Sequence, residues 1–192
     1  MPVQEPALRY DPTSGQIRGV EFIASPNCDA RADPEDISLL VLHGISLPPG
    51  EYGGDAITDL FTNTLDPRAH PYFAGVAGLR VSAHLLVRRD GVIIQYVTLP
   101  QRAWHAGESE FQGRCQCNDF AIGIELEGQD DEAYSPAQYR QLAQLARLCM
   151  QQWPEITVER IVGHADIAPG RKTDPGPAFD WRLFHQLLEL NP

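Results

Sequence analysis

The chain carries short hydrophobic runs that predict strands and longer periodic stretches that predict helices. A continuous apolar run over residues 37–43 predicts a central strand buried on both faces, because a half-exposed strand would alternate with polar positions. Two apolar runs over 81–87 and 92–97 are joined by a turn containing Asp-Gly, which predicts a β-hairpin. Two shorter runs predict further strands at residues 19–23 and 161–162.

Residues 120–128 alternate between an apolar and a mixed face, as a strand does. One face carries Ile122, Ile124 and Leu126, and the other carries Ala121, Gly123, Glu125 and Glu127. Because small neighbours leave space beside it, Glu125 is a candidate general acid or base. A solvent-facing edge strand would show the same alternation, so the pattern alone leaves both explanations open.

Apolar positions at helical spacing predict three helices. The first begins near residue 55 and ends before Pro67, because proline disfavours helical geometry in the preceding residue. The longest covers residues 136–153, with Ser135 and the glutamine three residues on forming a capping box. The last is capped by Asp180, and His185 is expected to lie exposed on its flank.

These elements predict an α/β fold, a single domain with a mixed central β-sheet flanked by helices. With 192 residues and 43% hydrophobic composition, the chain can form one core, and no second domain is needed. Residues 1–36 are rich in Pro, Asp, Asn and Ser, and are expected to form an ordered N-terminal arm over a core at 37–192. His70 is expected in a loop, and His84 in the wall or core of the domain.

The net charge of −11 and the pI near 4.8 argue against nucleic acid or an anionic membrane as a partner, because phosphate binding needs a basic face. A small anionic ligand is compatible with local positive charge, for which the chain offers Arg80, Arg102, Arg114, Arg171 and Lys172. The N-terminus lacks a signal-peptide pattern and no run reaches membrane-helix length, so a cytoplasmic location is expected. The cysteines are expected to be reduced thiols: Cys28, Cys115, Cys117 and Cys149.

The stretch from Ile161 to Gly176 concentrates candidate catalytic groups. A strand delivers His164 at its end, and the Pro and Gly residues that follow are expected to exclude a helix and hold the loop in turns. His164 and Asp174 can converge on a divalent metal, and catalytic zinc needs a third protein ligand and an open position for water. His43, at the end of the central strand, is the best candidate. A boundary histidine and an Asx-turn at Asp174 are the competing explanation.

Glu125 and Lys172 would complete a zinc hydrolase acting on amides. Glu125 would accept the proton of the attacking water, and Lys172 would stabilise the oxyanion. Lys172 is the only lysine in the chain, which favours a role for a compact ammonium, although biased codon usage would produce the same pattern. A cysteine nucleophile, Cys117 with His105, is conceivable, but its spacing does not favour it.

Five segments closely resemble the zinc-dependent N-acetylmuramoyl-L-alanine amidases, the family that includes phage T7 lysozyme and the peptidoglycan recognition proteins. They are residues 42–50, 81–84, 102–107, 117–128 and 163–176. The resemblance spans residues 18–185 in the same order, and within the family it points to the cytosolic enzymes of bacterial cell-wall recycling. It implies hydrolysis of the amide between 1,6-anhydro-N-acetylmuramic acid and L-alanine of a muropeptide, by a monomer that uses one zinc ion.

The resemblance also implies roles for individual residues. His43, His164 and Asp174 correspond to the zinc ligands, Glu125 to the catalytic acid/base and Lys172 to the oxyanion-stabilising lysine. Arg80, Trp104, His105 and Asn118 correspond to substrate-binding positions, and Arg80 is expected to contact peptide carboxylates.

Two positions depart from the family pattern and bear on affinity and substrate preference. Gly44 stands where an asparagine usually follows the first zinc histidine, and Gln116 replaces an arginine that contacts substrate; Arg114 could substitute for it. Two other function classes are considered. A non-catalytic muropeptide sensor would typically lack a metal ligand, commonly the one at Asp174, and an envelope amidase trimming intact peptidoglycan would carry a signal sequence.

Overall fold

The computed structural model describes residues 8–190, so part of the expected N-terminal arm, residues 1–7, lies outside the described residues. The strands within this range are β1 (Arg9–Asp11), β2 (Gln16–Arg18), β3 (Glu21–Phe22), β4 (Cys28–Asp29), β5 (Leu39–Ile45), β6 (Leu85–Val87), β7 (Ile93–Gln95), β8 (Arg102–Ala103), β9 (Glu110–Phe111), β10 (Arg114–Cys115), β11 (Ala121–Glu127) and β12 (Ile161–Gly163). The helices are α1 (Ala56–Phe61), α2 (Pro136–Gln152), α3 (His164–Ile167) and α4 (Trp181–Glu189), with short 3-10 helices at Pro71–Gly75, Cys117–Asp119 and Val158–Arg160.

Six strands form the central sheet, in the order β12-β5-β11-β6-β7-β3. The first four run parallel, whereas β6 and β7 pair antiparallel as the predicted hairpin. β5 and β11 pair along their full length, from Leu39 opposite Ala121 to Ile45 opposite Glu127. This mixed sheet with flanking helices confirms the predicted fold class.

Both faces of the sheet are covered. One face packs on α2 and α4, where Leu145 and Phe184 are fully buried, and the other packs on α1 through Leu60 and Phe61. Each buried leucine or phenylalanine contributes roughly 1.5–3 kcal/mol relative to an exposed one. β11 lies between two strands and all seven of its residues are buried, so the edge-strand explanation for its alternation is wrong.

The N-terminal residues are part of the domain from residue 8 onward. β1 and β2 form a hairpin, β3 joins the edge of the central sheet, and β4 pairs with β8. The predicted strand at 19–23 is therefore present, although only Glu21–Phe22 is paired in it. This extra strand anchors the arm through backbone hydrogen bonds to β7.

Local signals predicted α2 well and other segments less well. Ser135 and Gln138 form the predicted capping box, and the helix ends at Gln152. The predicted first hairpin strand forms only from Leu85 onward, although the His84 carbonyl oxygen still accepts from the Tyr96 N–H, and α1 ends at Phe61, five residues before the predicted stop. His185 is partly buried rather than exposed, because its ring stacks on Trp181 with centroids 6.0 Å apart.

The four cysteines form no disulfide bond in the part of the chain that the structure describes. Cys28, Cys115, Cys117 and Cys149 are all free thiols, as predicted. Among residues 8–190, no helix combines the length and the apolar composition needed to cross a membrane.

Candidate metal centre

Three neighbouring parallel strands end at one edge of the sheet and bring the candidate residues together. His43 lies near the end of β5, Glu125 lies opposite it on β11, and His164 directly follows β12. Parallel strands present their carboxyl ends on the same side, so residues distant in sequence meet there. His164 opens α3, which contradicts the expectation that this loop excludes helix. The turn forms because Asp166 Oδ2 accepts a hydrogen bond from the Gly163 N–H at 2.7 Å.

His43, His164 and Asp174 converge on one point. The Nδ1 atoms of the two histidines are 2.9 Å apart, and Asp174 Oδ2 lies 3.3 Å from His43 Nδ1 and 3.1 Å from His164 Nδ1. One ligand atom from each residue lies within 4.8 Å of the others. Zinc binds nitrogen and carboxylate oxygen at about 2.0–2.2 Å, so three donors this close can share one ion.

The protonation states of this cluster suit a divalent cation. Burial lowers the pKa of His43 to about 4, so its imidazole is neutral at pH 7. Burial alone would raise the pKa of Asp174, but hydrogen bonds to His164 and His43 outweigh it and lower that pKa overall. Neutral imidazoles and an ionised carboxylate are the donor set of catalytic zinc sites.

The outer nitrogens of both histidines are held by one short loop. His43 Nε2 lies 2.9 Å from His105 Nδ1, and His164 Nε2 lies 3.1 Å from the Ala106 carbonyl oxygen. Asn118 Oδ1 accepts hydrogen bonds from the backbone N–H groups of His105 and Ala106, at 3.1 and 2.8 Å. Such contacts fix the ring orientation and the tautomer of a metal-binding histidine. Sequence reasoning missed Ala106, because a carbonyl contact leaves no residue-type signal.

His105 fills space above β11 that a side chain would otherwise occupy. A Cβ atom added to Gly123 would lie 2.5 Å from Cγ of the His105 ring, so glycine is required beneath it. Burial lowers the pKa of His105 well below its usual value. Its Nε2 is buried without a hydrogen-bond partner among residues 8–190. The small residues beside Glu125 on β11 therefore make room for this imidazole as well as for a ligand.

Glu125 is a buried carboxyl group with an unpartnered oxygen. Its Oε2 makes no hydrogen bond with any described residue, and burial raises its pKa well above the usual value, with a further rise from Asp174 and an opposing effect of Lys172. A buried polar atom without a partner is costly in a folded protein, which is typical of a group reserved for a ligand. Lys172 is exposed on the loop after α3, where its backbone N–H donates to Ala168.

The remaining candidates have different surroundings. Arg80 is exposed, and its guanidinium donates to Asn63 Oδ1 at 3.3 Å. Trp104 is partly buried, and its Nε1 has no partner among the described residues. His84 is a satisfied core residue, as predicted: its Nδ1 accepts from the Gly123 N–H and its Nε2 contacts the Gln101 carbonyl.

Three of the five cations offered for an anionic ligand are engaged within the protein. Arg102 pairs with Asp119 and Asp29, and Arg114 pairs with Asp36. Arg171 donates to the carbonyl oxygens of Ala106 and Glu108. Arg80 and Lys172 are thus the better candidates for binding a negative charge. The alternative nucleophile Cys117 is fully buried and burial raises its thiol pKa, which argues against a reactive thiolate.

A cavity of about 560 Å³ with a mixed polar and apolar wall lies beside Gly44, the residue that follows His43. Its wall is formed by Gly44, Ile45, Ser46, Pro49, Tyr72, Gly128, Gln129, Asp130 and Asp131. A cavity of this size fits a ligand of several hundred daltons.

The chain is similar in sequence to known amidases over most of its length. Residues 33–177 match the family described as N-acetylmuramoyl-L-alanine amidase. The chain is 58% identical to the 1,6-anhydro-N-acetylmuramyl-L-alanine amidase AmpD of Escherichia coli (strain K12), over 91% of this chain and 94% of that protein. It is 60% identical to the protein of the same name from Citrobacter freundii, over 91% and 92% of the two chains.

Solved structures show the same similarity. A crystal structure of a Se-Met AmpD derivative superposes with a TM-score of 0.90 at 56% identity, covering 94% of this chain and 99% of that one. A complex of the amidase AmiD from E. coli with the substrate anhydro-N-acetylmuramic acid-L-Ala-D-gamma-Glu-L-Lys superposes with a TM-score of 0.59 at 32% identity. That match covers 83% of this chain and 60% of the AmiD chain.

Proposed function

Because the chain belongs to the N-acetylmuramoyl-L-alanine amidase family, we propose that it hydrolyses the amide between 1,6-anhydro-N-acetylmuramic acid and L-alanine of muropeptides, with one zinc ion, in cytoplasmic cell-wall recycling. The observation that carries the proposal is the convergence of His43, His164 and Asp174 beside the unpartnered carboxyl group of Glu125. The same geometry disfavours a sensor that has lost its metal, because all three donor groups are present.

The chain's own residues can perform the proton transfers of amide hydrolysis. Zinc held by His43, His164 and Asp174 would supply a Lewis acid and lower the pKa of a bound water. Glu125 would take a proton from the attacking water as the new C–O bond forms. It would then give that proton to the nitrogen of L-alanine as the C–N bond breaks. Burial raises the pKa of Glu125, which favours the protonated form that the carboxyl group holds between the two steps.

Lys172 is proposed to stabilise the negative charge that develops on the carbonyl oxygen. It lies two residues before Asp174 on the same loop, and its charge is felt by both Glu125 and His43. A compact ammonium can approach a single oxygen atom more closely than a planar guanidinium can.

The substrate contacts are proposals of two kinds. Arg80 is exposed and Trp104 Nε1 has no partner among the described residues, so we assign both to substrate, with Arg80 on the carboxylates of the stem peptide. His105 contacts His43 through Nδ1, and Asn118 accepts a hydrogen bond from the backbone N–H of His105. We therefore propose that both residues hold the metal ligands in position. We further propose that the protein acts as a monomer and uses neither nucleic acid nor membrane as a partner.

Turnover of purified protein on anhydro-muropeptide tests the proposal, with intact peptidoglycan as the second substrate and products identified by mass. We expect release of free stem peptide from the anhydro-muropeptide, loss of release on chelation and recovery on adding zinc. Tight binding and full zinc occupancy without cleavage would indicate a sensor instead. Faster cleavage of intact peptidoglycan would indicate an envelope amidase.

A further inference from the structure

Tyr134 contacts the loop that carries Asp174. It lies between β11 and α2, is 5% exposed, and its hydroxyl donates to the Pro175 carbonyl oxygen at 2.9 Å. Its ring also makes an edge contact with Phe179, with centroids 5.6 Å apart. The hydroxyl is therefore bonded to the residue that directly follows a proposed zinc ligand.

Two glycines form the slot in which Tyr134 lies. A Cβ atom added to Gly128 would lie 2.5 Å from Cε1 of the tyrosine ring. A Cβ atom added to Gly44 would lie 2.4 Å from the hydroxyl oxygen but 3.7 Å from Cζ. A side chain at position 44 and the hydroxyl of Tyr134 thus compete for the same volume, whereas a side chain at 44 and the bare ring do not.

The peptide groups around Asp174 are fixed from several sides. The Asp174 carbonyl oxygen accepts from the Ala165 N–H at 3.0 Å. A Cβ atom added to Gly163 would lie 2.9 Å from Cδ of Pro175, so this segment packs closely on the glycine that precedes His164. The hydroxyl of Tyr134 adds a further contact, at the Pro175 carbonyl oxygen and next to Gly44.

We infer that the Tyr134 hydroxyl is a positioning group for the zinc ligand Asp174, and that Gly44 is the partner that leaves room for it. The inference rests on the zinc site of the proposed function. It gives a physical reason for glycine directly after His43, because any side chain there would push the hydroxyl away from Pro175. Tyr134 does not contact the reacting atoms in this assignment; it acts through Asp174.

The first test is the zinc affinity of Tyr134→Phe, measured by competition with a chromophoric chelator. Tyr139→Phe is the matched control, since that buried tyrosine also packs on Phe179 and its hydroxyl accepts from the Asp180 N–H at 2.7 Å, away from the ligands. We expect Tyr134→Phe to weaken zinc binding about tenfold or more, as is typical for groups that orient a ligand. Tyr139→Phe should lower the thermal stability of the metal-free protein while leaving zinc affinity unchanged.

Equal zinc affinity in wild type and Tyr134→Phe would overturn the inference, and so would an equal loss in both tyrosine variants. These outcomes leave the proposed function intact, because the wild type still binds zinc. A wild-type protein that binds no zinc would instead refute the proposed function itself. The metal-free melting temperature, measured for each variant, separates loss of folding from loss of ligand geometry.

A double-mutant cycle tests the shared volume independently. Gly44→Ala alone should weaken zinc binding, because its Cβ would displace the hydroxyl. In the Tyr134→Phe background the same change should have little further effect, since the nearest ring atom is then at ordinary contact distance. Additive losses in the cycle would show that positions 44 and 134 act separately and would refute the pairing.

Discussion

Replacing Asn118 by alanine removes the one oxygen that supports both histidines of the proposed zinc site from behind. Asn118 Oδ1 accepts from the backbone N–H groups of His105 and Ala106. These two residues contact the outer nitrogens of His43 and His164, respectively. Loss of the amide should therefore release the loop and, with it, the orientation of both imidazole rings.

The structure sets the size of this effect. Ala106 is fully buried and Asn118 is 8% exposed, so water replaces the lost acceptor poorly. Leaving a buried donor unsatisfied costs about 1–3 kcal/mol, so losing the acceptor shared by two donors should lower the free energy of unfolding by about 2–6 kcal/mol. Because the loop orients two ligands, zinc affinity should also fall about 10- to 100-fold.

Chemical denaturation of the metal-free protein and chelator competition measure the two quantities. Asn118→Asp is the control, since it retains an oxygen at the same position and should keep most of the zinc affinity. If Asn118 instead contacts substrate, as the family resemblance implied, Asn118→Ala should raise KM while zinc affinity and stability stay unchanged. That result would refute a positioning role.

Three further predictions concern single side chains. Glu125→Gln should reduce kcat about 10²- to 10⁴-fold with zinc binding retained, measured by turnover and zinc titration; a small loss would remove Glu125 as the acid/base. Lys172→Arg should fold and bind zinc yet lose most activity, and near-normal turnover would contradict the case for a compact ammonium. Burial and the nearby charge of Arg31 together lower the pKa of His84 to about 3, so its contribution to stability is present above pH 6.5 and is lost as pH falls toward 3. Between pH 6.5 and 3, the unfolding free energy of metal-free His84→Gln should therefore fall by about 1.4 kcal/mol less per pH unit than that of the wild type. Urea unfolding at several pH values measures this slope, and equal slopes in both proteins would show that His84 does not contribute to the pH dependence.

Strands and one helix could be predicted because their signals are local. The continuous apolar run of β5 predicts burial on both faces, and all of Leu39–Leu42 is indeed inaccessible. The start of α2 is defined by Ser135 and Gln138, which bond to each other within one turn. Neither inference needed knowledge of the tertiary contacts.

The site depends on contacts between distant parts of the chain, so the sequence predicted its members better than its arrangement. His43 and His164 are 121 residues apart, and each could be recognised only as a histidine at the end of a predicted strand. His164 is held by the backbone carbonyl of Ala106, and the loop of Asp174 is held by the hydroxyl of Tyr134. Neither residue stands in a sequence pattern that indicates such a contact. The sequence did not predict the short helix α3, because Pro and Gly residues follow it closely. A hydrogen bond from the Gly163 N–H to the Asp166 carboxylate stabilises its first turn nevertheless.

His43 and Glu125 lie directly opposite each other on paired strands, whereas two other groups of the proposed active site, Asp174 and Lys172, lie on a loop. Adjacent strands keep a spacing of about 4.8 Å that varies little among proteins. The backbone separation of His43 and Glu125 is therefore fixed by the sheet itself. Asp174 and Lys172 lie on the loop after α3, so their distance from His43 depends on the contacts that hold this loop, including the one from Tyr134. A change of substrate range should therefore leave β5, β11 and the loop of Asp174 unchanged and vary other loops.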